Sequence, residues 1–167
     1  MSAQEKLKIL LLIIDDEADI CDILSEILSP HFDFVETTMD STKASEMIVQ
    51  NEYDLILSDI MMPNLLGSDL IRKIRGHGIL TPVVFITGQA TKETLMAGIR
   101  LGVADIIEKP FDNEILISSV RRLIEVEKRR TELVLAKSDK SLSKEQLEKK
   151  QKMIGLFLVA AEKQKAG

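Results

Sequence analysis

The sequence has no tryptophan, one tyrosine and five phenylalanines, so aromatics make up only 4% of its 167 residues and any core must be built from aliphatic side chains. A single cysteine, Cys21, excludes an internal disulfide, and nothing in the composition asks for an oxidising compartment. Cys21 stands among Ile20, Ile23 and Leu24, the setting of a semi-buried structural thiol. Apolar runs are short. None approaches the ~20 residues a membrane span needs, and the opening "MSAQEKLK" lacks a small-residue cleavage site. A cytoplasmic location without membrane contact is therefore expected.

What is present fits an ordinary globular protein: 45% hydrophobic and 29% charged residues, in a length suited to one domain with a small appendage. The net charge of −5 hides an asymmetry. Residues 1–127 carry 11 basic and 22 acidic side chains, whereas residues 128–167 carry 11 basic and 5 acidic. A boundary near Lys128 is predicted, with an acidic domain over 1–127 and a basic helical extension over 128–167.

Through the first part, apolar runs alternate with segments of helical period. "KILLLII" (8–14) reads as a strand buried on both faces, and "EADICDILSEIL" (17–28) as a helix stopped by Pro30. Strands follow at 32–38, 53–60, 81–88 and 104–110. Helices are expected after Asp40 or Ser41, over 68–76, over 91–102 ending at Gly102, and from an Asp112 cap to about Ala136. Five strands alternating with five helices predict an α/β fold, a parallel sheet covered on both faces. In such sheets ligands collect beyond the carboxyl ends of the strands, where the winding reverses.

The polar residues at those ends are Asp15 and Asp16, Asp59, Thr87, and Lys109 with Pro110. Carboxylates packed together raise one another's pKa unless a cation joins them, and an all-oxygen donor set suits Mg²⁺. Asp59, closing the central strand, is the candidate nucleophile toward phosphorus, with Lys109 and Thr87 placed to offset and hydrogen-bond the phosphoryl oxygens. Strand-end carboxylates also serve as plain helix caps, a role open to Asp15 or Asp16. "GHGILT" at Gly76 precedes a strand instead of following one, which argues against a dinucleotide site. His31 and His77 lie in loop-like stretches without a second ligand, and surface positions are expected for both.

In order, "LLIIDDEAD", "DLILSDIMMPNLLG", "VVFITG" and "DIIEKPF" resemble the receiver domain of two-component response regulators over about Lys8 to Glu127. The resemblance implies a flavodoxin-like doubly wound sheet in the order 2-1-3-4-5. It implies that Asp59 accepts a phosphoryl group from the phosphohistidine of a sensor histidine kinase or phosphotransfer protein. It further implies direct Mg²⁺ binding by Asp16, Asp59 and the backbone carbonyl of Met61, with Asp15 binding through water or directly, and Thr87 and Lys109 contacting the phosphoryl group. Phosphorylation then changes the face formed by the fourth helix, fifth strand and fifth helix, and so a downstream protein contact. The chain departs from the family pattern at Ile106, the switch position, where receivers often carry Tyr or Phe. Met61 and Gln89 occupy variable positions that tune water access, and apolar Met61 predicts slow loss of the phosphoryl group.

Beyond the domain, "EKRR" continues the fifth helix where a buried face would want apolar residues, and "KSDKSLSKEQ" reads as a polar break. Ser143 and Gln146 have capping-box spacing for a further helix, whose face holds Ile154, Leu158 and Ala161. Heptads fail at Glu127 and Arg130, so a fold-back or a homodimer through exchanged C-terminal helices is expected instead of a simple zipper. About 40 residues leave little room for a DNA-binding domain, and no effector enzyme is legible. Two other classes compete: a receiver-like scaffold that oligomerises without phosphorylation, and a phosphatase with an aspartyl nucleophile. The latter wants a second acid two residues after the nucleophile, where Asp59 is followed by Ile60 and Met61.

Overall fold

The computed structural model describes residues 7–63 and 65–136. Five strands, β1 (Leu7–Ile14), β2 (Phe32–Thr38), β3 (Leu55–Asp59), β4 (Val83–Thr87) and β5 (Asp105–Glu108), form one sheet. All neighbours pair in parallel, in the order β2-β1-β3-β4-β5. The helices between them are α1 (Ala18–Leu28), α2 (Ser41–Gln50), α3 (Gly67–Gly76), α4 (Lys92–Leu101) and α5 (Asn113–Ala136). The fold is the doubly wound, flavodoxin-like one, and the winding reverses between β1 and β3.

The central strands β3 and β4 are buried at every position, as expected of apolar runs that face helices on both sides. Alternate residues of β1 enter different cores. Ile9, Leu11 and Ile13 pack with Leu24, Leu28, Leu116 and Val120. Leu12 and Ile14 pack with Ile48, Leu70, Ile71 and Phe85 on the other face. Both cores are aliphatic with a few aromatics, which the composition required.

The helix boundaries have local causes. Asp40 caps α2, its Oδ1 accepting from Thr42 N at 2.8 Å and Lys43 N at 3.2 Å. Thr91 Oγ1 accepts from Thr94 N at the start of α4, and Gly102 ends that helix in the left-handed region, φ 64°. At α5 the Asp112 carboxylate takes the Glu114 and Ile115 N–H groups. Among the described side chains of α5 the last buried one is Ile124; Val126, Lys128, Arg129 and Arg130 are exposed. The polar break after Ala136 and the helix expected to follow it lie outside the described residues. His77 is exposed, but His31 is half-buried where a surface position was expected. Its Nδ1 lies 2.9 Å from Arg121 Nη2 of α5, a partner remote in sequence.

Candidate functional site

The sheet register carries the site. Ile14 of β1 is opposite Ser58 of β3, and Asp59 is opposite Ile86 of β4, so Asp15 and Asp59 emerge at the same level and Thr87 one residue beyond. Thr87 is opposite Glu108, and its carbonyl accepts from Lys109 N at 2.8 Å, which places Lys109 on the same rim. Parallel strands in register thus bring to one edge groups far apart in the sequence.

Lys109 Nζ joins them, at 2.8 Å from Asp15 Oδ2, 3.2 Å from Asp59 Oδ2 and 3.6 Å from Glu17 Oε1. Asp15 is 1% exposed and Asp59 7%, so these carboxylates are held away from bulk water. The other oxygen of each is fixed by backbone. Asp15 Oδ1 accepts from Glu17 N at 2.9 Å, and Asp59 Oδ1 from Met61 N at 3.0 Å. Burial pushes the Asp15 carboxyl above its ordinary range, although the Lys109 and Glu17 hydrogen bonds pull the other way. Burial alone would lower Lys109, but the Asp15 hydrogen bond and the Asp59 charge outweigh it and hold its pKa up. One ammonium thus faces two buried carboxylates and the Glu17 carboxylate. The site has room, electrostatically, for a further cation.

Asp15, Glu17 and Asp59 each offer an oxygen within 4.8 Å of the others'. Hard oxygen donors at this spacing, with surplus negative charge, fit a small divalent cation such as Mg²⁺. Glu17 was not foreseen in this set. Asp16, expected to be a ligand, is exposed and lies outside the group of three. The Met61 side chain is also exposed, and its N–H is the group turned to Asp59. Thr87 is fully buried, its hydroxyl paired with Gln89: it donates to the Gln89 carbonyl at 3.2 Å and accepts from Gln89 N at 3.1 Å. Ile106 is half-buried and, like Leu101 and Val103, packs against the core that holds Leu12 and Phe85. Behind the rim, Cys21 Sγ donates to the Asp15 carbonyl at 3.4 Å, and burial raises that thiol, which keeps it protonated and inert.

Residues 11–121 match the family described as response regulator receiver domain. The chain belongs to that family. Among its relatives, this receiver is 32% identical over 111 residues to the transcriptional regulatory protein DltR of Streptococcus agalactiae, an overlap of 66% of this chain and 50% of DltR. It thus spans about half the length of that relative. Among solved structures, it is similar to the chemotaxis protein CheY4 of Vibrio cholerae, with a TM-score of 0.66 and 26% identity, over 70% of this chain and 99% of that one. NtrX of Brucella abortus, solved in complex with ATP, aligns with a TM-score of 0.71 and 33% identity over 77% of this receiver and 29% of NtrX. Among the described residues, no helix of the receiver is long and apolar enough to cross a membrane.

Proposed function

We propose that this receiver takes a phosphoryl group onto Asp59 from a phosphohistidine of a sensor histidine kinase or phosphotransfer protein, and passes the signal on through changed protein contacts. The observation that carries the reading is Lys109 Nζ within hydrogen-bond reach of both Asp15 and Asp59, on a rim where Asp59 ends the central strand. In the transfer, an Asp59 carboxylate oxygen forms a bond to phosphorus as the phosphorus–nitrogen bond breaks. The imidazole leaves with the electron pair and takes up a proton. The Lys109 ammonium offsets charge on the incoming phosphoryl oxygens, and the Met61 N–H holds the carboxylate at its attacking angle.

Asp15, Asp59 and Glu17 are the side chains placed to hold Mg²⁺, with Asp16 and the Met61 carbonyl as the family's further ligands. When bound, the cation neutralises the carboxylates and the transferring phosphoryl group. Thr87, released from Gln89, is the group to hydrogen-bond the attached phosphoryl, and Ile106 takes the switch position. The chemistry the chain carries out is its own Mg²⁺-dependent phosphorylation and dephosphorylation. Past Ile124, the last described buried residue of α5, the receiver gives way near Glu127 to a basic helical extension, the route to a homodimer or a downstream protein partner. The cytoplasm is the matching compartment, because that is where two-component kinases present their phosphohistidines.

The test is intact-mass spectrometry after incubation with Mg²⁺ and acetyl phosphate, alongside sizing with light scattering. A single phosphate adduct, abolished by prior EDTA and by Asp59→Asn, is the expected result. An adduct that persists in Asp59→Asn moves the acceptor elsewhere. No adduct in the unaltered chain, with a fixed oligomer, supports a phosphorylation-independent scaffold.

A further inference from the structure

The Asp59 peptide is gripped from two sides by residues that take no part in the rim of charges. Gly67 opens α3, and its N–H donates to the Ile60 carbonyl at 2.9 Å. A Cβ built on Gly67 would lie 2.2 Å from the Asp59 carbonyl oxygen, 3.0 Å from Ile60 Cα and 3.1 Å from the Asp59 carbonyl carbon. All three are backbone atoms, which cannot swing aside as a side chain would. Conformation does not demand glycine here, since among the described glycines only Gly78 and Gly102 adopt positive φ. Only the close approach does. From within the sheet, the buried Ser58 hydroxyl donates to the same Asp59 carbonyl at 2.9 Å.

We infer that Gly67 and Ser58 are positioning residues for the acceptor: together they fix the peptide of Asp59, and through it the direction in which the Asp59 carboxylate meets Lys109 and an incoming phosphoryl group. The inference rests on Asp59 being the phosphoryl acceptor. Its physical core is short leverage. The carboxylate is two bonds from Cα, so a displaced peptide displaces the attacking oxygen by a similar distance. Relieving a 2.2 Å approach to ordinary contact requires a movement of about 1 Å, and a misplacement of that size costs a positioned reaction about 100-fold in rate. Ser58→Ala adds no atom; it frees one carbonyl and lets the peptide tilt, so a smaller loss is expected.

The experiment compares the unaltered chain with Ser58→Ala, Gly67→Ala and, as a helix control, Gly76→Ala, where an added Cβ meets nothing within 4 Å. Labelling by acetyl phosphate at saturating Mg²⁺ is followed by intact mass, and each rate is divided by the folded fraction from a circular-dichroism melt. The expected result is a fall of about 100-fold for Gly67→Ala, about tenfold for Ser58→Ala, and the unaltered rate for Gly76→Ala. A role in packing alone would lower the melting temperature and leave the rate per folded molecule untouched, which would overturn the inference. If Gly67→Ala does not fold, Ser58→Ala decides: a slowed rate supports the grip, an unchanged rate refutes it. Failure of the unaltered chain to label would overturn the acceptor assignment and this inference with it. Normal labelling in all four proteins overturns this inference alone.

Discussion

Lys109 Nζ donates to Asp15 Oδ2 across 2.8 Å, joining the end of β5 to the end of β1 although β3 and β4 lie between those strands in the sheet. The ammonium is the charge that lets Asp15 and Asp59 share one rim. In Lys109→Met, without divalent cation, the two carboxylates face each other unpaired, and stability should fall by about 1 to 3 kcal/mol. Mg²⁺ should recover part of the loss by binding the folded state. Urea denaturation with EDTA and with Mg²⁺ checks both; an unchanged midpoint in EDTA would mean that Lys109 does not hold the carboxylates.

Gly98 of α4 faces Ile106. A Cβ there would sit 2.8 Å from Ile106 Cδ1 and 3.1 Å from Val103 Cγ2, both side-chain ends. Ala gains about 1 kcal/mol over Gly in a helix interior, whereas overpacking costs about 1 to 3 kcal/mol. Gly98→Ala should therefore be neutral to about 2 kcal/mol destabilising, and the double variant Gly98→Ala with Ile106→Val should recover the difference. Thermal melts of the single and double variants measure this coupling, and simple additivity would deny that Ile106 is the obstacle.

Asp40, which the sequence offered beside Ser41 as the cap of α2, is the residue that caps it. Removing it in Asp40→Ala leaves the Thr42 and Lys43 N–H groups without their side-chain acceptor and should cost about 1 kcal/mol. Because the cap is exposed and its side chain bonds only the Thr42 and Lys43 N–H groups among the described residues, the labelling rate by acetyl phosphate should be unchanged. Chemical denaturation and the phosphorylation assay together test that separation.

His31 gives a pH dependence of defined sign. Arginine has no acceptor, so the imidazole nitrogen facing Arg121 accepts and the ring is neutral. Burial, and then the Arg121 charge, hold its pKa below the ordinary 6.5. The unfolded chain thus binds this proton first as pH falls. The contribution of His31 to stability is present above 6.5 and is lost as pH drops through the lowered folded value. His31→Gln should show a smaller fall in melting temperature across that range than the unaltered chain; equal falls would remove His31 from the account.

The alternation of strands and helices was legible because each segment carries its own period and its own stop signals: Asp40 and Asp112 as caps, Gly102 as a left-handed terminus, Pro30 as a breaker. Asp15, Asp59, Thr87 and Lys109 were legible for the same reason, since each closes an apolar run and a parallel sheet gathers strand ends on one edge. Sequence alone could not say which of the neighbours Asp16 and Glu17 would face the cluster, because that depends on the turn between β1 and α1 and on where Lys109 arrives. Nor did it mark the Thr87–Gln89 hydrogen bonds, the Arg121 partner of His31, or Gly67, whose backbone angles are ordinary and whose lack of a side chain matters only because Asp59 lies against it. By itself the sequence determined the elements, their order and the chemistry available at the strand ends, because these follow from local periodicity and capping. Tertiary structure decided which groups touch and how closely, because those distances are set by α1 and α3 packing on opposite faces of the sheet and by β5 pairing with β4, which no local stretch encodes.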